Sequence, residues 1–284
     1  MGVTQGPVPG GNARTPSRTL AGMSAVEMPG ASEARLGVGT WVVVPTYNEA
    51  ENLRPIASAI LAALPGVHLL IVDDSSPDGT GEMADALAAI DERVSVCHRR
   101  KKQGIGRAYL DGFRQALDAG ARVIVQMDAD FSHDPGTLPR LIAPIDAGSA
   151  DLVLGSRYVR GGSVVNWGIA RKLISRGGSI YARTVLGISP WDLTGGFKAW
   201  RASTLAAVPF TNVHAGGYVF QIEMTWHAIR TGARVIEIPI TFPDRRLGQS
   251  KMSRRIIAEA LLVVIELRFD ELRSRWSRRR RARD

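Results

Sequence analysis

The stretch Val123-Ile124-Val125-Gln126-Met127-Asp128-Ala129-Asp130 is a run of apolar, β-prone residues that ends in two carboxylates. Such a run predicts a buried strand whose last residues emerge at the edge of a sheet. Because residues i and i+2 of an extended chain point to the same side, Asp128 and Asp130 are expected to direct their oxygens to one point. That point suits Mg²⁺ or Mn²⁺, which prefer oxygen ligands, and Mg²⁺ takes much of its shell from substrate phosphates and water. Two Asp residues that merely cap the next turn would give the same pattern.

The segments around this strand alternate between strand and helix patterns. Such alternation calls for parallel strands joined by right-handed helical crossovers. The sequence therefore predicts an α/β fold with a mostly parallel, Rossmann-like sheet flanked by helices. At the start of the first helix, Asn48 and Glu51 have the spacing of a capping box. The predicted strands lie at 41–44, 68–72, 93–97 and 151–154, and the predicted helices at 53–64, 83–90 and 107–119.

The second half of the chain is less regular. Helices are predicted at 171–186 and 218–230, and a strand at 234–240. Between the helices, Thr194-Gly195-Gly196-Phe197-Lys198 is predicted to be a flexible, polar segment that can approach a ligand closely. By composition, the basic segments 99–106 and 244–251 are predicted to be mobile surface loops.

Polar residues follow four of the predicted strands. In parallel sheets, ligands bind at the carboxyl ends of the strands, so these residues are expected to line one edge. Asp73 ends the second strand, where it can accept hydrogen bonds from a base or ribose, or simply close a turn. Acidic residues together with Arg245 and Lys251 suit a ligand that combines a nucleoside, a diphosphate and a metal ion. The residues expected at this edge are Tyr47, Glu49, Asp73, Asp74, Asp128, Asp130 and Arg157.

A second candidate anion site lies on the helix predicted at 171–186. Arg171 and Ser175 are four residues apart and therefore share one helical face. An Arg on such a face can bind a phosphate through two hydrogen bonds, although a solvated helix face would show the same spacing. His133, beside the carboxylate pair, is interpreted as a turn histidine that makes a local hydrogen bond rather than as a metal ligand.

Composition limits the class of protein. The 284 residues include 36 Lys and Arg against 27 Asp and Glu, which gives a formal net charge of +9. Eight Arg lie within residues 268–284, against three acidic residues, so most of the excess charge belongs to the C-terminal tail. The single Cys97 excludes an intramolecular disulfide and fits a reducing, cytoplasmic compartment. No stretch has the form of a signal peptide or the length to cross a membrane.

The C-terminal segment is expected to bring the protein to the cytoplasmic face of a membrane. Residues 256–269 are largely apolar, too short to cross a bilayer but long enough to lie on it. Arg residues flank this segment and favour an anionic lipid surface. A helix packed on the sheet and docking onto a membrane-spanning partner protein are the alternatives. Three regions are thus predicted: a disordered leader at 1–38, a folded domain at 39–252, and an amphipathic helix with a basic tail at 253–284.

Six motifs of this chain together resemble the polyprenol-phosphate mannose synthases, also called dolichol-phosphate mannose synthases, of inverting glycosyltransferase family two. They occur in the family's order and cover roughly residues 40–252. The early motifs belong to the wider superfamily, whereas the last two are more particular to enzymes that act on lipid phosphates. The six motifs are Pro45-Thr46-Tyr47-Asn48-Glu49, Val72 to Thr80, Asp128 to His133, Gly155-Ser156-Arg157-Tyr158, Trp167 to Ser175, and Arg245 to Lys251.

The resemblance implies a GT-A fold, a GDP-mannose donor, a polyprenyl phosphate acceptor and a divalent metal, Mg²⁺ or Mn²⁺. It implies that Asp128, Asp130 and Ser132 bind the metal. Ser132 stands where the family often has a Gln ligand, and because its hydroxyl is shorter, a water is expected to complete the shell. Asp128, Asp130, Arg245 and Lys251 are then the catalytic residues. The implied donor-binding residues are Pro45, Tyr47, Glu49, Val72, Asp73, Asp128, Ala129, Asp130, Arg245 and Lys251, and the implied acceptor-phosphate residues are Arg157, Arg171 and Ser175.

The chemistry of such an acceptor agrees with these residues. A phosphate monoester has its second pKa at about 6 and is largely ionised at neutral pH, so the site needs no general base. We therefore expect a single displacement with inversion, assisted by positioning and charge. A UDP-glucose donor remains an alternative, because nothing in the residues separates the two sugars. A nucleic-acid binder would interleave aromatic and basic residues, and a processive polysaccharide synthase would carry membrane spans and a Gln-x-x-Arg-Trp motif; neither pattern is found.

Overall fold

A seven-stranded sheet forms the centre of the protein in a computed structural model, which describes residues 1–2, 36–214, 216–243 and 254–281. The strands are β1 (Thr40–Thr46), β2 (His68–Asp73), β3 (Val94–His98), β4 (Val123–Gln126), β5 (Leu152–Ser156), β6 (Ser163–Val165), β7 (Lys198–Arg201), β8 (Val235–Pro239) and β9 (Thr241–Pro243). The helices are α1 (Ala50–Ala63), α2 (Thr80–Ile90), α3 (Ile105–Asp118), α4 (Leu138–Asp146), α5 (Ile169–Leu186), α6 (Ala202–Ala206), α7 (Gly217–Arg230) and α8 (Arg254–Arg281).

The order of the strands places a crevice at one edge of the sheet. The large sheet runs β3-β2-β1-β4-β7-β5-β8, and β6 pairs with β9 separately. Neighbouring strands from β3 to β4 are parallel, whereas β7 runs antiparallel to both β4 and β5. Strand β1 pairs with β2 on one side and β4 on the other, and such a switch point opens a crevice at the carboxyl ends of the strands. The predicted, mostly parallel sheet is confirmed.

Helices cover both faces of this sheet. Apolar residues at three- and four-residue spacing give each helix one buried stripe. Helices α1, α2 and α4 pack on one face through residues that include Leu53, Leu87 and Leu141. Helices α3 and α7 pack on the other face, where Phe113 and Phe220 are fully buried. Both faces of the parallel strands are therefore excluded from water, as their almost continuous apolar sequence requires.

The C-terminal helix α8 is packed on the rest of the protein along one face. Val263, Val264 and Leu267 are buried in a cluster with residues of α5 and α7, whereas Leu262 and Phe269 remain exposed. The predicted C-terminal helix is confirmed. Among the described residues, no helix combines the length and apolarity needed to cross a membrane. The divisions predicted near residues 38 and 252 stay predictions.

Four of the five residues in Thr194–Lys198 are buried, so the segment is not the flexible, polar piece that was predicted, although Gly196 does lie beside the carboxylate of Asp128. Phe197 and Lys198 are each 1% exposed, and Lys198 is the first residue of β7. Phe197 packs in the core on the α1 side of the sheet. The prediction failed because β7 has only four residues, begins with Lys198 and ends with Arg201. Such a short segment with a charged residue at each end lacks the apolar pattern by which a central strand is recognised in the sequence.

The basic segment 99–106 lies at the surface as predicted, since residues 100–103 are exposed, but it is anchored by a buried carboxylate rather than freely mobile. Arg99 is buried, and its guanidinium group forms an ion pair with Asp74. The carboxylate of Asp74 also accepts the backbone N–H groups of Gln103 and Gly104, at 3.2 and 3.0 Å. One buried carboxylate therefore holds both ends of a segment whose sequence suggests only a solvated loop.

The start of α1 also differs from its prediction. Asn48 adopts a left-handed conformation with φ 60°, and no side chain within the helix caps its first turn. The backbone N–H of Ala50 instead donates to Asp78, at 3.2 Å, and that of Glu49 donates to Thr80, at 3.0 Å. Side chains that follow β2, rather than a capping box, therefore accept the backbone N–H groups at the start of α1. These hydrogen bonds link the ends of β1 and β2.

Candidate active site

Strand β4 delivers two carboxylates to the crevice at the carboxyl edge of the sheet. The chain leaves the sheet after Gln126, and Asp128 then lies partly exposed while Asp130 is 7% exposed. Ala129, between them, is buried. The predicted strand is therefore confirmed at this place in the chain, although it ends at Gln126, one residue earlier than predicted, and Met127 separates it from the acidic pair.

The side chain of Asp128 is held in a defined orientation. The hydroxyl of Tyr109, on α3, donates to Oδ1 of Asp128 at 2.7 Å. Burial raises the pKa of Tyr109 well above its ordinary value, and the negative charge of Asp128 adds to this effect, so the phenol keeps its proton and donates. The backbone N–H of Asp128 donates to Nδ1 of His133 at 3.0 Å, and the imidazole stacks on Phe197 with ring centroids 4.9 Å apart. His133 is thus the predicted turn histidine with a local hydrogen bond.

The acidic pair fits a divalent cation that is shared with a substrate. Oδ1 of Asp130 accepts the backbone N–H of Ser132 at 3.0 Å, and the side chain of Ser132 is buried. In the described part of the chain, no group of three or more His, Cys, Asp or Glu residues is arranged to hold a metal ion. A set of two carboxylates suits Mg²⁺ or Mn²⁺ if a diphosphate and water supply the remaining ligands.

The predicted nucleoside residues lie at the ends of β1 and β2. Oδ1 of Asp73 accepts the hydroxyl of Ser76 at 2.5 Å and that of Thr46 at 3.3 Å, so this carboxylate also closes the turn after β2. The Nζ atom of Lys102 lies 3.3 Å from the centre of the Tyr47 ring, over its face. Pro45 and Glu49 are partly exposed, whereas the side chain of Val72 is buried beneath α3.

A buried ion pair supports the predicted acceptor side. Two guanidinium nitrogens of Arg157 donate to the two carboxylate oxygens of Asp192, at 2.6 and 2.7 Å, and one donates to the hydroxyl of Thr194 at 2.8 Å. Glu237, on β8, accepts the backbone N–H of Asp192 at 3.0 Å. Burial alone would raise the pKa of Asp192, but the charge and hydrogen bonds of Arg157 outweigh burial and hold this pKa below its ordinary value.

The three residues predicted to bind an acceptor phosphate are brought together around one tryptophan. The guanidinium carbons of Arg157 and Arg171 lie 5.4 and 4.0 Å from the centre of the Trp167 ring. Ser175 is buried, and its hydroxyl accepts the hydroxyl of Tyr158 at 2.7 Å. The neighbouring helix positions of Arg171 and Ser175 therefore face the same cluster as Arg157, as their spacing predicted.

Several residues of this region were not predicted from the sequence. Asp192 lies in a segment without apolar periodicity, and Tyr109 has the sequence pattern of an ordinary core residue of α3. The Nζ atom of Lys198 donates to the backbone oxygen of Gln221 at 2.7 Å, and burial lowers the pKa of Lys198 to about 7. The predicted catalytic residues Arg245 and Lys251 lie outside the described residues.

Sequence comparison finds similar proteins over most of the chain. The family described as Glycosyl transferase family 2 matches residues 41–208. The undecaprenyl-phosphate mannosyltransferase of Micrococcus luteus is 47% identical over 237 residues, which cover 82% of this chain and 97% of that protein. The polyprenol monophosphomannose synthase of Mycolicibacterium smegmatis is 50% identical over 228 residues, which cover 80% of this chain and 86% of that protein.

Solved structures share the fold at much lower identity. Glucosyl-3-phosphoglycerate synthase from Mycobacterium tuberculosis, in complex with Mn²⁺ and UDP-glucose, matches with a TM-score of 0.60 and 21% identity, covering 84% of this chain and 80% of that one. The mannosyltransferase PcManGT from Pyrobaculum calidifontis, in complex with GDP-Man and Mn²⁺, matches with a TM-score of 0.55 and 17% identity, covering 82% of this chain and 64% of that one. These similarities agree with the predicted fold class.

Proposed function

Because this chain belongs to glycosyl transferase family 2 and, within it, to the polyprenyl-phosphate mannose synthases, we propose that it transfers mannose from GDP-mannose to a polyprenyl monophosphate, with inversion at the sugar carbon. The observation that carries this proposal is the identity of 47% and 50%, over four fifths of the chain, with two proteins named for such activities. A carboxylate pair after β4 and two guanidinium groups beside Trp167 support a donor diphosphate and an acceptor phosphate.

On the donor side, Asp128 and Asp130 hold Mg²⁺ or Mn²⁺ together with the diphosphate. When bound, a divalent cation there neutralises the charge that develops on the departing nucleoside diphosphate. Arg245 and Lys251, which lie outside the described residues, are proposed to close over the same diphosphate. The nucleoside lies against the ends of β1 and β2, where the implied residues are Pro45, Tyr47, Glu49 and Asp73, with Val72 contributing only from beneath.

On the acceptor side, Arg157, Arg171 and Ser175 hold the lipid phosphate so that one oxygen points at the sugar carbon. Because this phosphate is already ionised, no residue has to remove a proton, and the site acts by holding two anions in line. Bringing two phosphates together requires compensation by positive charge. The two guanidinium groups beside the Trp167 ring support that role.

The acceptor of such a reaction lies in a membrane, and we propose that α5 and α8 rest on an anionic membrane surface. Ile169 and Leu173, one turn apart on α5, are 78% and 68% exposed, and Leu262 and Phe269 on α8 are 68% and 57% exposed. The two helices are in contact, since the hydroxyl of Tyr181 donates to the backbone oxygen of Leu261 at 3.0 Å. The predicted cytoplasmic face and a membrane-spanning partner remain predictions.

Liposome sedimentation tests the membrane proposal. Deleting residues 272–284 removes seven of the eight C-terminal Arg residues, so binding to anionic liposomes should fall and the salt dependence of binding should weaken. Nucleotide affinity should not change. Equal sedimentation of the full and shortened chains at low and high salt would show that the basic tail is not part of the contact.

A panel of radiolabelled nucleotide sugars tests the function itself. With polyprenyl phosphate as the acceptor, label from GDP-mannose should move into an organic-extractable product, and label from UDP-glucose should not. Preferential transfer from UDP-glucose would replace the proposed donor while keeping the reaction class. Absence of transfer from every donor to the lipid phosphate would refute the proposed acceptor.

A further inference from the structure

The carboxylate of Asp128 has one oxygen that accepts a hydrogen bond and one for which no hydrogen bond is found among the described residues. Its Oδ1 accepts the hydroxyl of Tyr109 at 2.7 Å. Its Oδ2 lies beside Gly196, where an added Cβ would stand 3.6 Å from that oxygen. The neighbour of Oδ2 is therefore a glycine, which has no side chain, whereas the neighbour of Oδ1 is the hydroxyl of Tyr109, which donates a hydrogen bond.

We propose that Tyr109 is a positioning residue that commits Asp128 to bind the divalent cation through Oδ2 alone. The inference rests on the proposed function, in which Asp128 and Asp130 hold the cation of the donor complex. A carboxylate free to rotate can occupy two coordination positions, whereas one whose second oxygen accepts a fixed hydrogen bond occupies one. Single coordination leaves positions open for the diphosphate and for water, which Mg²⁺ and Mn²⁺ sites of this kind require.

Tyr109 is fixed firmly enough to act in this way. Its ring stacks on Phe113 and Phe220, with centroids 5.6 and 6.0 Å apart, and is completely buried. One turn further along α3, a Cβ at Gly112 would lie 2.5 Å from Val43 on β1, so only glycine permits the helix to approach the sheet this closely. The phenol oxygen is thus held at a set distance from the end of β4 by packing that does not involve the carboxylate.

The substitution Tyr109→Phe tests the proposal because it removes one oxygen and keeps the stacked ring. Binding of Mn²⁺ to the full chain, in the presence of saturating GDP, can be followed by electron paramagnetic resonance without any turnover. Loss of a hydrogen bond to a metal-binding side chain typically weakens metal affinity by about 10-fold or more, so the Kd for Mn²⁺ should rise by about that factor. The KM for Mn²⁺ in the transfer reaction should rise in parallel, and excess Mn²⁺ should restore most of kcat.

Two further variants make the outcome decisive. Tyr158→Phe removes the same atom from a hydroxyl that donates to Ser175 at 2.7 Å, so it should raise the KM for the acceptor and leave the Kd for Mn²⁺ unchanged. Asp128→Asn should abolish tight Mn²⁺ binding.

If Tyr109→Phe binds Mn²⁺ like the unmutated chain while Asp128→Asn does not, the role of Tyr109 is refuted and the proposed metal site stands. If Asp128→Asn also binds Mn²⁺ normally, the proposed metal site itself is wrong. An equal change in Mn²⁺ affinity in both Phe variants would mean that Tyr109 acts only through general stability, which also overturns the inference.

Discussion

The donor side and the acceptor side of the crevice are built by different kinds of interaction. We use donor side for Asp73, Asp128 and Asp130, at the ends of β2 and β4, and acceptor side for the cluster around Trp167. On the donor side, Asp73 bonds to a residue three positions away and Asp130 to one two positions away. On the acceptor side, Arg157 is held by Asp192, which lies 35 positions further along the chain.

This difference separates two ways of placing charge in a protein. Asp73 and Asp130 accept hydrogen bonds from the turns that directly follow them, so much of their orientation is a local property of the chain. A buried ion pair instead requires both partners to leave water, and it is favourable only when both are present with good geometry. Removal of Asp130 should therefore lower activity with little loss of stability, whereas removal of the charge of Asp192, half of a buried ion pair, should lower stability as well.

The largest effect is expected for Asp130→Ala on the donor side. Because this carboxylate is proposed to hold the cation that stabilises the leaving diphosphate, transfer should fall by about 10³-fold or more. EDTA should have the same effect on the unmutated chain. Transfer of radiolabelled mannose to polyprenyl phosphate measures both effects.

A nearby aspartate provides the matched control for this substitution. Asp134 is exposed and accepts the backbone N–H of Gly136 at 2.9 Å, at the start of the turn Pro135–Thr137. Asp134→Ala should cost about 1 kcal/mol of stability through loss of this cap and leave the rate nearly unchanged. Full activity of Asp130→Ala in metal-free buffer would show that the proposed metal site on the donor side is wrong.

The same contrast explains how far the sequence alone could predict this protein. The apolar run before Asp128 predicted both β4 and the position of the acidic pair, because strand, turn and carboxylates are adjacent in the chain. The four-residue spacing of Arg171 and Ser175 predicted their shared face, because helical periodicity is local. Asp192 was not predicted, since a partner for Arg157 at a distance of 35 residues leaves no periodic signal.

The second-largest effect is expected for Asp192→Asn on the acceptor side. The amide keeps the size of the side chain but removes the negative charge that the buried guanidinium group of Arg157 contacts at 2.6 and 2.7 Å, which should lower the free energy of unfolding by about 3 kcal/mol. Urea unfolding at neutral pH measures this change. The loss should appear in the absence of any substrate, which separates it from the effect of Asp130→Ala.

The control is an ion pair at the protein surface. Arg122 and Asp146 form a contact of 2.6 Å, but their side chains are 50% and 36% exposed. Asp146→Asn should therefore change the free energy of unfolding by less than about 1 kcal/mol. If the two Asn variants are equally stable, the acceptor side does not depend on its buried pair and the contrast between the two sides fails.

A smaller effect, confined to one substrate, is expected for Arg171→Ala. Charged hydrogen bonds to a phosphate contribute roughly 2 kcal/mol, so the KM for the lipid phosphate should rise by about 30-fold. Calorimetry should give a nearly normal affinity for GDP, because Arg171 belongs to the cluster around Trp167 and not to the donor side. Arg176→Ala removes the same group from an exposed position of α5 and should change neither quantity. Equal weakening of both ligands by Arg171→Ala would mean that the two sides are not separate.

The strand β7 shows why the region between the two sides was the least predictable. It is inserted antiparallel between β4 and β5, and its first residue is a lysine whose ammonium group is completely buried. Sequence periodicity assumes that charged residues lie at the surface. The buried side chain of Lys198 is stabilised by two hydrogen bonds, in which its Nζ atom donates to the backbone oxygen of Gln221 at 2.7 Å and to the hydroxyl of Thr225 at 2.9 Å.

The smallest of the expected effects concerns this lysine and the dependence of stability on pH. Its pKa is about 7 in the folded protein, against 10.5 for an ordinary lysine. Below pH 7 both the folded and the unfolded chain carry the proton, so the cost of burying the charge is fully present; above pH 7 the folded chain releases the proton while the unfolded chain keeps it. Stability should therefore rise by about 2 kcal/mol between pH 7 and pH 9. Urea unfolding at the two pH values, in the unmutated chain and in Lys198→Met, isolates this contribution.

The comparison with Lys198→Met is informative because the substitution leaves few other groups unsatisfied. The backbone oxygen of Gln221 still accepts the hydroxyl of Thr225, at 2.9 Å. The charged neighbours of Lys198, Asp192 and Arg157, remain paired with each other, so their contribution to the pH dependence is common to both proteins. The Met variant should therefore lack the rise between pH 7 and pH 9 and should be the more stable protein at pH 7. The same rise in both proteins would mean that Lys198 keeps its proton throughout this range, and that the centre of the sheet tolerates a permanent charge beside the buried ion pair.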